Sequence, residues 1–143
     1  MSISSGFCIE DLTLGLSASY GKTVTDADIV LFAGVSGDTN PVHLDQSFAE
    51  KTPFKGRIAH GMLSAGFIST VLGTKLPGPG AIYMSQTLKF KAPVKIGDTV
   101  TATCTVTEII PEKRRAVLST ICKVGDTIVI EGEAMVMVPS RGK

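Results

Sequence analysis

The chain has 143 residues, a length typical of one domain, and 43% of them are hydrophobic against 19% charged. A formal net charge of +1 offers no electrostatic attraction to nucleic acid or to an anionic membrane surface. The longest apolar stretch is interrupted by polar residues and is too short to span a membrane, and the N-terminus lacks the basic start of a secretory or transit signal.

The first element with a clear sequence signal is a helix that begins after Thr25. This residue is a suitable N-cap, and Ile29, Phe32 and Ala33 follow at helical spacing. Pro41 forbids its continuation. Before it, residues 1–21 predict only a short strand or an irregular arm, from the loose alternation of Phe7, Ile9, Leu12, Leu14 and Leu16.

Two further helices are expected in the middle of the chain. Asp45–Lys51 predicts a short helix capped by Asp45, and Ile58–Lys75 predicts a long one. The long segment is apolar nearly all round, which is typical of a buried helix. The segment Pro77–Gly80 ends it.

The C-terminal half alternates apolar and polar residues, which predicts strands separated by short turns. Consecutive strands of this kind indicate an antiparallel meander, so we expect one α+β domain over residues 1–143, with a sheet curled around the long helix. The predicted strands are Ile82–Phe90, Val100–Thr107, Arg114–Val124 and Thr127–Val138.

Asp38 and His43 are the strongest candidates for chemistry. They lie five positions apart, and the break at Asn40-Pro41 is expected to fold His43 back toward Asp38. A carboxylate and an imidazole that converge can hold one water between them and remove its proton. Each residue taken alone is more typical of a structural role, as a turn cap or a buried histidine, and Asn40 is expected to brace the turn.

Gly61 stands near the start of the long helix, where the first backbone N–H groups lack partners within the helix and meet the positive end of the dipole. A glycine there lets a ligand oxygen approach closely, so the position suits an oxyanion hole. Close packing is the simpler alternative. His60 is expected to shape the loop with a hydrogen bond, although it could line the site.

The metal-binding residue types show no ligand spacing. The two histidines and three cysteines form no pair typical of zinc, so we predict neither a metal nor another cofactor. Three widely separated cysteines also make no disulfide framework, which favours a reducing cytoplasm.

Several segments together resemble one family. Phe32–His43 (FAGVSGDTNPVH) resembles the hydratase-2 motif of MaoC-like, (R)-specific enoyl-CoA hydratases, especially the short bacterial type that feeds polyhydroxyalkanoate synthesis. The resemblance extends from about Thr25 to Val138 and also rests on Ala59–Met62, Pro77–Gly80 and Leu88–Asp98.

The resemblance implies a hot-dog fold, a homodimer and a trans-2-enoyl-CoA substrate that becomes a (3R)-3-hydroxyacyl-CoA. It also implies that Asp38 and His43 are the catalytic pair and that the Gly61 N–H binds the thioester carbonyl. If this resemblance holds, some residues on the same face of the long helix as Gly61 are expected to contact the acyl chain, with Ser69 as the polar contact. The residues on that face are Ser64, Ala65, Ile68, Ser69 and Leu72. The candidates for the CoA phosphates are Lys55, Arg57, Lys89 and Lys91.

Three alternatives stay open at this point. A hot-dog thioesterase would direct its water at the thioester carbonyl and release free CoA. A 3-hydroxyacyl-thioester dehydratase would share the site but take acyl-carrier-protein substrates. A non-catalytic acyl-CoA-binding subunit would not need Asp38 or His43.

Overall fold

The computed structural model describes residues 6–142. Its strands are β1 Ser17–Thr23, β2 Ile82–Phe90, β3 Thr99–Ile110, β4 Arg115–Val124 and β5 Thr127–Met137. Its helices are α1 Asp26–Ser36, α2 Pro41–Leu44, α3 Gln46–Ala49 and α4 Gly61–Thr74. Within the described residues the strands form one antiparallel sheet in the order β1-β3-β4-β5-β2.

Helix α4 packs against the inner face of this sheet and makes the core. Its residues Ile68, Val71 and Leu72 are at most 2% exposed. The sheet contributes the inward-facing half of an alternating strand, Val100, Ala102, Cys104 and Val106, while the threonines between them face outward or lie half-buried. The α+β arrangement expected from the sequence is therefore confirmed.

The long helix begins three residues later than the sequence predicted. Ile58 forms an isolated antiparallel bridge with Lys95, and the Ala59 N–H donates to the Val94 carbonyl at 2.7 Å. This extended pairing holds the chain straight as far as His60, which becomes the N-cap. Gly61 is thus the first residue of α4, where its N–H has no acceptor within the helix.

The prediction of a four-stranded meander was wrong for one strand. β3, β4 and β5 follow one another across the sheet, but β2 pairs with β5 at the far edge. The segment 91–98 does not turn back, because Val94 is buried in the core and this segment pairs with the chain ahead of α4. The connection therefore crosses from one edge of the sheet toward the other.

The N-terminal region is an irregular arm with one short 3-10 turn at Ile9–Asp11, and the strand begins only at Ser17. The short strand or irregular arm expected over residues 1–21 is thus an arm followed by β1, whose hydroxyl side chains pair with those of β3, such as Ser19 with Thr103 at 2.8 Å. The single domain over residues 1–143 stays a prediction, and residues 1–5 and 143 lie outside the described part. No helix in the described part is long and apolar enough to cross a membrane.

Candidate active site

Asp38 lies in the turn that leaves α1. Thr25 caps the start of α1 as predicted, and Gly37 ends the helix in the left-handed conformation, with φ of 81°. Asp38 Oδ1 then accepts from the Asn40 N–H at 3.2 Å, and the Asp38 N–H donates to Ser36 Oγ at 3.1 Å. These bonds hold an exposed carboxylate at a fixed place in a tight turn.

His43 follows on the short helix α2, which the sequence did not predict. Asn40 caps this helix by accepting from the Val42 N–H at 3.1 Å, and Pro41 occupies its first position. Asn40 therefore braces the turn as expected. His43 is 8% exposed, and its Nδ1 lies 2.8 Å from the carbonyl oxygen of Ile58. A carbonyl only accepts, so Nδ1 carries the proton and Nε2 is left as an acceptor.

The structure brings Asp38, His43 and His60 together. One potential ligand atom from each of these residues lies within 4.8 Å of the others. His60 Nε2 lies 2.9 Å from the Asp38 carbonyl oxygen, and the His60 ring stacks on His43 with centroids 3.9 Å apart. The expected convergence of Asp38 and His43 is present, and His60 shapes the loop as predicted.

A carboxylate and two imidazoles also resemble a metal-ligand set. Each imidazole already uses one nitrogen on a backbone carbonyl, and the other nitrogen of His60 is fully buried. The donor set therefore suits water activation better than metal binding, and the absence of a metal stays a prediction.

Gly61 presents its N–H beside this cluster. No hydrogen bond from that N–H to an acceptor occurs among the described residues. Gly61 and Asp38 line one cavity of about 690 Å³. The other lining residues are mostly apolar: Phe32, Ser36, Phe54, Ile58, Ala59, His60, Met62, Ser64, Phe90, Lys91, Ala92, Pro93, Val94, Val129 and Ile130.

Of the predicted acyl face of α4, only Ser64 lines this cavity in the single chain, while Ala65, Ile68 and Leu72 are buried in the core. The acyl contacts along α4 therefore stay a prediction. Ser69 is exposed and lies outside the cavity lining, so its contact with substrate stays a prediction. Sequence reasoning missed the wall supplied by Phe32, Phe54 and Phe90, since aromatic residues on separate elements leave no shared period.

The four basic candidates for binding the CoA phosphates lie in different environments. Arg57 donates through Nε to the His43 carbonyl at 2.6 Å and through Nη2 to Asp26 at 2.6 Å, so two of its donors serve the fold. Lys91 lines the cavity and forms an ion pair with Glu131 at 3.2 Å. Lys55 and Lys89 are exposed.

The buried thiols are poor nucleophiles. Burial raises the pKa of Cys104 to about 12, with a smaller effect from the neighbouring Cys122, and burial raises the pKa of Cys122 to about 11. The thiolate is the reactive form, so neither side chain suits covalent catalysis near neutral pH.

Comparisons with known proteins agree with this geometry. Residues 14–132 match the family model described as MaoC like domain. The chain is 65% identical over 133 residues to an (R)-specific enoyl-CoA hydratase of Rhodospirillum rubrum, covering 93% of this chain and 92% of the relative.

Two solved structures are also similar. The R-hydratase PhaJ1 from Pseudomonas aeruginosa superposes with a TM-score of 0.90 at 44% identity, covering 95% of this chain and 88% of that one. An (R)-hydratase from A. caviae, described as involved in PHA biosynthesis, superposes with a TM-score of 0.88 at 43% identity, covering 91% of this chain and 99% of that one. These likenesses confirm the expected hot-dog fold.

Proposed function

The chain belongs to the MaoC-like family, and on that premise we propose that it is an (R)-specific enoyl-CoA hydratase. It adds water reversibly to a trans-2-enoyl-CoA and gives a (3R)-3-hydroxyacyl-CoA. The observation that carries the proposal is the convergence of Asp38 and His43 beside the first N–H of α4, at a largely apolar cavity.

The catalytic water lies between Asp38 and His43. The carboxylate and the free Nε2 of His43 each accept one hydrogen bond from it, because Nδ1 of that ring is occupied by the Ile58 carbonyl. This arrangement aims an oxygen lone pair at the electrophilic β-carbon of the enoyl thioester. One member of the pair takes the water proton as the new C–O bond forms.

Negative charge then moves to the thioester oxygen as an enolate. The Gly61 N–H points to this oxygen, and the positive end of the α4 dipole adds to the stabilisation. A donor placed in this way contributes about 10²–10³-fold in turnover. The enolate α-carbon then takes the proton that the Asp38–His43 pair removed from the water. Attack of the water and delivery of the proton on one face give syn addition.

The substrate enters with its thioester beside Gly61. The apolar cavity wall takes the acyl chain or the adjoining part of the pantetheine, and Lys91 stands where a CoA phosphate could replace Glu131 as its partner. Ser69 remains a proposed substrate contact. Ser69 is exposed in one chain and lies outside the cavity lining, so we propose that a second subunit completes the pocket around it.

We also propose the predicted homodimer, joined through β2. This strand is an edge of the sheet, and its residues Ile82, Tyr83 and Met84 are each at least 41% exposed. The other edge, β1, exposes Ser17, Ser19 and Thr23, which suit water better. Light scattering should give twice the 15.0 kDa chain mass, and Ile82→Lys should shift the protein toward monomer.

A place for the reaction follows from these proposals. The three cysteines are free and two of them are buried, which supports a location in the reducing cytoplasm. The PHA connection printed for the A. caviae hydratase supports a role in which this enzyme takes enoyl-CoA from fatty-acid β-oxidation and supplies (3R)-3-hydroxyacyl-CoA to polyhydroxyalkanoate synthesis. Co-expression with a PHA synthase should raise polymer yield in wild type and not with Asp38→Asn.

The test of the function is an assay with crotonyl-CoA that follows the conjugated enoyl-thioester absorbance, with and without a thiol reagent. The product is then offered to an (R)-specific and an (S)-specific dehydrogenase. Loss of absorbance without free thiol, followed by oxidation with the (R)-specific enzyme alone, is expected. Free CoA would instead indicate a thioesterase, and reaction only with carrier-protein substrates would indicate a dehydratase of that type.

A further inference from the structure

The imidazole of His60 contacts both members of the proposed catalytic pair. Its Nε2 bonds to the Asp38 carbonyl at 2.9 Å, and its ring stacks on His43 with an angle of 28° between the planes. His60 is 2% exposed, and Phe32 packs against the ring with centroids 4.8 Å apart. One buried side chain thus contacts the Asp38 turn and the plane of the His43 ring.

The two histidines are held as opposite tautomers. His43 must donate through Nδ1 and His60 through Nε2, because each nitrogen faces a carbonyl oxygen. Neutral His60 therefore presents Nδ1 as an acceptor. That atom is fully buried and has no partner among the described residues. A buried acceptor without a donor is costly, so a matching donor is expected close by.

Ser64 is the residue that can supply this donor. Its Oγ is also fully buried without a partner in the described part of the chain, and the residue is 1% exposed. Ser64 lies on the first turn of α4, four positions after His60, and both residues line the same cavity. A hydroxyl can rotate to donate where an acceptor is available.

We propose that the Ser64 hydroxyl donates to His60 Nδ1, directly or through one buried water, and that His60 fixed in this way is the positioning residue for the Asp38–His43 pair. The inference rests on the proposed function. Without the Ser64 donor, the buried Nδ1 lone pair has no partner, and the ring is held on one side only, by its Nε2–H bond to the Asp38 carbonyl. The ring can then tilt, and the Asp38 turn is fixed less tightly against His43.

The experiment uses the full-length protein labelled with ¹⁵N-histidine, which gives simple spectra because the sequence holds two histidines. Long-range proton–nitrogen correlations report the tautomer of each ring, and His43→Ala assigns them. Wild type should show one Nδ1–H ring, from His43, and one Nε2–H ring, from His60. In Ser64→Ala the His60 ring should keep its Nε2–H, because Nε2 still faces the Asp38 carbonyl, and its Nδ1 signal should move toward that of an acceptor without a hydrogen bond.

The same variants are assayed with crotonyl-CoA. Ser64→Ala should lower kcat about fivefold to tenfold, the scale of one lost hydrogen bond, with KM little changed. Ser19→Ala, the same change at an exposed site on β1, should alter neither the spectra nor kcat. His60→Gln keeps an N–H donor for Asp38 and should retain more kcat than His60→Leu.

Two results would overturn the inference: the same tautomer for both rings in wild type, or an unchanged His60 Nδ1 signal together with unchanged kcat in Ser64→Ala. A wild type without hydratase activity would instead defeat the proposed function. The effect of Ser64→Ala on the His60 Nδ1 signal would still decide whether Ser64 donates to that ring.

Discussion

The ring of Phe90 lies so close to Gly61 that a Cβ added at Gly61 would stand 2.6 Å from two of the ring carbons. Phe90 is on β2 and Gly61 opens α4, so this contact joins the edge of the sheet to the start of the central helix. Glycine therefore suits this position, because a side chain would force the Phe90 ring or the start of α4 to shift and would narrow access to the N–H.

Gly61→Ala is expected to displace the Phe90 ring or the first turn of α4, although it keeps the proposed oxyanion donor. A misplacement near 1 Å in a catalytic group can cost about 10²-fold in rate, so we expect a loss of kcat on that scale. Gly34→Ala, in open space on α1, is the matched control. Adding Phe90→Leu to Gly61→Ala should restore part of the loss, and full turnover in Gly61→Ala alone would argue against the assignment.

Phe54→Ala is expected to raise KM for enoyl-CoA about fivefold, because it removes apolar surface from the cavity wall. Phe48→Ala provides the control, since Phe48 is similarly exposed on α3 but does not line the cavity. Steady-state kinetics with crotonyl-CoA and a longer enoyl-CoA measure the difference. Equal KM values for the two variants would place the substrate elsewhere.

Asp28 links acidity to stability at the start of α1. Its hydrogen bonds with the Lys22 side chain, and then with the Thr25 backbone, hold the pKa of its carboxyl below the usual value. A lowered folded-state pKa stabilises the fold above the unfolded value near 3.9, and this contribution is lost as pH falls through the folded value. Asp28→Asn should therefore lower Tm at pH 7. Its Tm should also fall less than that of wild type as the pH is lowered from 5 into the acid range.

The control for this pH effect is Asp126→Asn, in the exposed turn between β4 and β5. It removes the same charge without removing a helix cap, so its Tm curve should follow wild type. Identical curves for Asp28→Asn and Asp126→Asn would show that the Lys22–Asp28 contact does not contribute to stability.

Activity is expected to survive treatment with a metal chelator followed by dialysis. In the proposed mechanism Asp38 and His43 orient the water, and the Gly61 N–H stabilises the negative charge on the thioester oxygen, so no step needs a metal. Metal analysis of the purified protein and crotonyl-CoA hydration before and after treatment provide the measurement. A loss of activity that Zn²⁺ or Fe²⁺ restores would mean that Asp38, His43 and His60 bind a metal.

Local signals made much of the architecture predictable. The predicted N-cap at Thr25, the apolar face of α1 and the alternation along β3 were all confirmed. Each of these predictions depends on residues that are close in sequence. The placement of β2 beside β5 was not predictable, because it depends on where Val94 is buried and on pairing between segments 58–59 and 94–95. A short polar strand such as β1 carries almost no periodic signal.

The candidate site divides in the same way. Asp38 and His43 could be paired from sequence because a single turn joins them. The contact of His60 with both, the engagement of Arg57 by His43 and Asp26, and the wall formed by phenylalanines come from elements far apart in the chain. Tertiary packing alone brings these together, and of the acyl face predicted along α4 only Ser64 lines the cavity of the single chain.

Asp38 and His43 are proposed to act together on one water. The direct measurement is kcat for crotonyl-CoA hydration by Asp38→Asn, His43→Ala and the double variant, each checked for folding by circular dichroism. Each single change is expected to lower kcat about 10²–10⁴-fold, and the double variant should be little worse than the more damaged single one, because the pair works as a unit. Near-normal turnover in either single variant, or losses that multiply in the double variant, would show that Asp38 and His43 do not act together.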